Sequence, residues 1–89
     1  MKQSLKKARQ IAGATPSLAS FDIHVEGEEL HLSKKGESFA RLIATGKPDQ
    51  WRMEYFFNRE RWEIIDFVGT LEECLAFLVD NPHYLFWEG

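Results

Sequence analysis

Residues 51–68, WRMEYFFNRERWEIIDFV, constrain the fold more than any other stretch of the chain. Trp51, Met53, Tyr55 and Phe57 recur at every second position, and Trp62, Ile64 and Val68 resume the spacing after a polar break at 58–61. Period-two spacing marks a strand with one buried face, because successive side chains point to opposite sides of a sheet. The pattern predicts a β-hairpin in which Phe57 faces Trp62, Tyr55 faces Ile64, Met53 faces Asp66 and Trp51 faces Val68. Aromatic and β-branched pairs across strands add roughly 0.2–1 kcal/mol each beyond simple burial. Such a hairpin is a sheet nucleus, and the remaining segments are expected to pack around it.

A length of 89 residues suffices for one small domain. Its twelve aromatic residues can each bury roughly 150–250 Å², enough to build a core without covalent staples. The single cysteine, Cys74, excludes an internal disulfide, and a lone thiol fits a reducing compartment. The N-terminus lacks a signal-peptide core, and the longest unbroken apolar run, 74–79, is too short for a bilayer. A soluble, cytoplasmic protein with no membrane role is therefore expected.

Charge is unevenly distributed. Residues 1–20 carry Lys2, Lys6, Lys7 and Arg9 with no acid, whereas the remainder carries seven basic and fourteen acidic side chains. An acidic body repels nucleic acid over most of its surface. Three phosphate contacts from the arm would give a salt slope of only about −2.7. A solvated helix face is thus preferred to a nucleic-acid contact made by Lys2, Lys6, Lys7 and Arg9.

In chain order, residues 2–13 fit a helix with a thin apolar stripe of Leu5, Ala8 and Ala12, ended by Gly13 and Pro16. FDIHV at 21–25 and ELHLS at 29–33 predict a hairpin with Glu26-Gly27 as its turn. That register sets Ile23 against Leu30 and Phe21 against Leu32, and on the other face His24 against Glu29 and Asp22 against His31. The run 39–45 is open to two readings: Phe39, Arg41 and Ile43 share the main face, or Ala40, Leu42 and Ala44 do. Thr70-Leu-Glu-Glu73 matches a capping box and opens a helix over 70–81, with Leu71, Cys74, Leu75 and Leu78 as its apolar stripe. The run 83–87 is too apolar for a free tail, and either adds an edge strand or lies across a face.

The fold class is therefore α+β: a five-stranded antiparallel meander with an N-terminal and a C-terminal helix packed mainly on one face. One domain is expected, comprising a basic helix and linker (1–20), the sheet (21–68), the capped helix (70–81) and an apolar tail (82–89).

Catalytic and cofactor motifs are not found. No Gly-x-Ser-x-Gly elbow occurs, and Cys74 sits on an apolar helix stripe, where thiols are inert. Gly36 and Gly46 are too far apart to form one phosphate nest. The three histidines lack the close spacings of structural zinc sites, and the expected register gives His24 and His31 a carboxylate each, so no metal is expected. Asp66 points toward the main face in this register, with the start of the capped helix or Arg41 as its neighbour.

What remains is a surface. Phe56, Ile65 and Phe67 are expected on the outer face of the central hairpin, framed by Arg52, Glu54, Arg61 and Glu63. Large apolar groups rimmed by mixed charge mark a protein-binding patch. The alternative is that the N-terminal segment or the run 84–87 covers them within the chain. The expected function is protein–protein contact without enzymatic activity or cofactor, through a protein partner or self-association as a homodimer.

Overall fold

The computed structural model describes residues 1–86. Helix α1 (Lys2–Gly13) is followed by strands β1 (Asp22–Glu26), β2 (Glu29–Lys34), β3 (Glu37–Ala44), β4 (Trp51–Phe57) and β5 (Arg61–Gly69). Helix α2 (Leu71–Asp80) and a short 3₁₀ turn (Pro82–Leu85) complete the described chain. The strands form one antiparallel open sheet in sequential order, leaving β1 and β5 as its edges. The expected α+β meander is the observed one.

Both helices lie on the same face of the sheet. Leu30, Leu32, Leu42 and Met53 from the inner strands meet Leu71, Cys74, Leu75 and Leu78 of α2 and Ala8 and Ala12 of α1 in one buried cluster. Small residues on α1 allow close approach, and Leu18 in the linker seals the gap. Burying a Leu or Met side chain contributes roughly 1.5–3 kcal/mol. The helices are tied to each other and to the sheet by polar contacts as well. Lys7 Nζ lies 3.1 Å from Glu72, and Arg9 Nε donates to the Ile23 carbonyl at 3.0 Å.

The α2 start follows the capping box. Thr70 Oγ1 accepts from the Glu73 amide at 3.1 Å, and Glu73 Oε1 accepts from the Thr70 amide at 2.8 Å. Asp49 adds a partner that the motif does not announce, accepting from the Leu71 amide and the Trp51 indole. The 3₁₀ turn lies across the helix-bearing face rather than extending the sheet, with Leu85 buried and the Tyr84 ring 4.8 Å from Tyr55. Trp87, the end of the expected apolar run, lies outside the described residues.

Three registers differ from expectation or complete it. Gly27, with φ of +62°, occupies the first central position of the β1–β2 turn, so the turn is Gly27-Glu28 and Glu26 pairs with Glu29. Glycine belongs at that position in a type II′ turn. Ile23 consequently faces Leu32, and His24 faces His31 instead of an acid. On β3, Ala40, Leu42 and Ala44 take the core side. A bulge opposite Leu32 and Ser33 frees Phe39 to join the core, where it meets Phe21 edge-on.

The central hairpin is corrected by one residue. Asn58 and Arg59 both have positive φ, 44° and 62°, and the Glu60 amide closes onto the Phe57 carbonyl at 2.8 Å. This is a type I′ turn with Glu60 as an extra residue, so Phe57 pairs with Arg61 and not with Trp62. A one-residue slip moves every side chain to the other side. Ile65 and Phe67, expected on the outer surface, therefore point to the core: Ile65 is buried and Phe67 stacks on Phe77 at 4.5 Å. Trp62, Ile64 and Val68, expected inside, face outward, as does Asp66.

Candidate functional site

The face of the sheet away from the helices has two chemically distinct halves, and both follow from strand alternation. At the β1 end, His24, Glu26, Glu29 and His31 share this face because they are even or odd partners across the β1–β2 turn. His31 and Arg41 are opposite each other, as are Arg41 and Glu54 on the next pair of strands. At the β5 end, Phe56 pairs with Trp62, Glu54 with Ile64 and Arg52 with Val68.

The centre of this surface is a polar network under an indole. Arg41 Nε donates to Glu54 Oε1 at 2.9 Å, and its guanidinium lies 4.0 Å from the Trp62 ring. His31 meets the edge of Trp62 at 5.6 Å, and Phe56 packs against it at 5.0 Å. Arg52 binds the second oxygen of Glu54 at 2.9 Å. Burial pushes the Glu54 carboxyl up, but the bonds from Arg41 and Arg52 outweigh it and hold the group below the ordinary range.

Around His31 the network is closed. Its Nε2 lies 2.9 Å from Glu29 Oε1 and its Nδ1 lies 3.0 Å from Ser38 Oγ, while the residue is only 5% exposed. His24 Nε2 lies 2.7 Å from Glu26 Oε2. The hydrogen bond from His24 holds the Glu26 carboxyl below its usual value. Beyond the network, Ile64 and Val68 stand 76% and 59% exposed on the edge strand β5.

Of the expected interaction patch, Phe56, Arg52 and Glu54 lie on this outer face, while Ile65 and Phe67 do not. Trp62, Ile64 and Val68 take their place. Asn58 was the available signal, since asparagine accepts the left-handed backbone that a three-residue connection needs. Of the basic arm, Lys7 contacts α2 and Arg9 contacts β1, while Lys2 and Lys6 are exposed. Cys74 is buried, and burial pushes its thiol up to about 11, which disfavours the reactive thiolate.

No described helix is long and apolar enough to cross a membrane. No curated protein and no solved structure matches the chain. A family model does, over residues 21–88, which takes in the whole sheet, α2 and the 3₁₀ turn. With that much of its length matched, the chain belongs to the family described as a domain of unknown function, DUF3024.

Proposed function

We propose that the protein is a non-enzymatic cytoplasmic protein that works through protein–protein contact, and that the contact is a homodimer formed along β5. The exposed apolar row on an open sheet edge carries this reading. β5 is nine residues long, its outer side bears Ile64 and Val68 beside Trp62, with Asp66 as the one charge between them, and no described strand pairs with it on the far side. Long apolar edges invite pairing with another strand.

Self-pairing suits this edge. Two copies related by a two-fold axis normal to the sheet keep the same side outward, so Trp62, Ile64 and Val68 of both would lie on one surface, with Asp66 between Ile64 and Val68 of each. Light scattering on the purified chain over a range of concentrations tests the reading. A concentration-dependent dimer is expected, converted to a folded monomer by the double substitution Ile64→Lys, Val68→Lys. A wild-type chain that stays monomeric at high concentration overturns it.

A further inference from the structure

We propose that His24, Glu26 and His31 form a binding site for a divalent transition metal, with Zn²⁺ as the fitting ion. The corrected β1–β2 register creates the cluster. His24 and Glu26 are two residues apart on β1 and so share a face, and His31 stands directly opposite His24 on β2. One ligand atom from each of the three lies within 4.8 Å of the others. Tetrahedral zinc with bonds near 2.0–2.1 Å needs its ligand atoms about 3.4 Å apart. Glu26 Oε2 already sits 2.7 Å from His24 Nε2 and 3.5 Å from His31 Nδ1. His24 and Glu26 have exposed side chains, 41% and 57%, so small rotations suffice to open the gap.

The surroundings orient the ligands as a metal requires. A metal-bound histidine donates its other ring N–H to a carboxylate or similar acceptor, which fixes the tautomer. His31 is arranged in this way: with its Nε2–H on Glu29 Oε1 at 2.9 Å, its Nδ1 is left as an acceptor, 3.5 Å from Glu26 Oε2. Arg41 in turn approaches the same Glu29 oxygen at 3.5 Å. Without metal, the Ser38 hydroxyl donates to that Nδ1 at 3.0 Å, and metal binding would turn the Ser38 side chain to another rotamer. His24 exchanges tautomer on binding: Nε2 gives up its proton to become the ligand, and Nδ1–H turns to Ser33 Oγ at 3.4 Å. Two imidazoles and one carboxylate suit zinc and leave a fourth position for water.

The probe is ZnCl₂ titrated calorimetrically into the full-length, tag-free chain, with CoCl₂ as a spectroscopic substitute. One saturable site per chain and a Co²⁺ ligand-field spectrum are expected. His24→Ala should weaken Zn²⁺ binding by more than about 100-fold, since losing only an outer partner already costs 10–100-fold. Glu26→Gln should weaken it too, while His83→Ala leaves it unchanged. All three substituted side chains reach solvent, so circular dichroism should show wild-type folding. Absence of saturable binding to the wild type, or equal binding by His24→Ala, overturns the proposal. Loss of binding in His83→Ala does so as well, because His83 lies on the 3₁₀ turn away from this cluster.

Discussion

The two edges of the sheet are built differently. β1 is five residues long, has acids at both ends, and has one carbonyl satisfied by Arg9 of α1. β5 is nine residues long, and Ile64 and Val68 face solvent beside it. Short, charged and covered edges resist pairing with other chains, and long apolar ones promote it. The outer face changes in parallel, from histidines and carboxylates near β1 to aromatic and aliphatic side chains near β5, with Trp62 over Arg41 at the border. The proposed metal site and the proposed protein contact therefore lie at opposite ends of one surface. Such a division within one small sheet implies two separable properties, and substitutions should affect them independently.

The largest expected effect separates the two sides of β5 itself. Ile65→Ala should cost on the order of 2–5 kcal/mol, because it leaves a cavity between the sheet and α2. Ile64→Ala, one residue away, should change monomer stability by less than about 0.5 kcal/mol. Phe67→Glu should destabilise at every protein concentration, since it places a charge against Phe77. Urea midpoints of these three variants decide the matter. Equal losses at 64 and 65 would mean that β5 does not present Ile64 outward, and the dimer edge would go with it.

A smaller effect is expected at the other edge. Arg9→Ala removes the bond to the Ile23 carbonyl and should cost about 1 kcal/mol. Arg9→Lys keeps the charge but lacks the planar fork, and should restore little of the loss. Full recovery with lysine would show that charge alone holds α1 on β1.

What could be read from the residues depended on how local the determining interactions are. The α2 start was legible because Thr70 and Glu73 satisfy each other within one turn. The β1–β2 register was displaced by two, since the glycine was placed second in the turn; an even displacement leaves Ile23 and Leu30 inside. It nevertheless hid the histidine cluster, because His24 and His31 were each assigned an acid across the strand. The expected central hairpin is displaced by one, since Asn58 is the single weak mark of a three-residue connection within the polar stretch 58–61. An odd displacement exchanges the faces, so the expected register places Ile65 and Phe67 on the surface. The bulge in the pairing beside Arg52 and Met53 has no local signature in the sequence.

The smallest expected effect concerns acid and the polar half of the outer face. Glu54 is held below its ordinary value of 4.5 by its bonds to Arg41 and Arg52, despite partial burial. Its folded form therefore binds a proton less readily than the unfolded chain does. The stability it contributes is complete above about 4.5 and is lost as pH falls through that value toward the lower folded one. Glu26 acts in the same direction, through its bond from His24. Urea midpoints measured from about pH 6 down to about pH 3 should consequently fall. Glu54→Gln cannot ionise, so the variant should start lower at neutral pH, decline less steeply, and approach the wild type in acid. Ile64→Ala should run parallel to the wild type throughout, because it removes no ionisable group and leaves the Arg41–Glu54 pair in place. Parallel curves for wild type and Glu54→Gln would place the acid sensitivity elsewhere and leave the Arg41–Glu54 pair without a stabilising role.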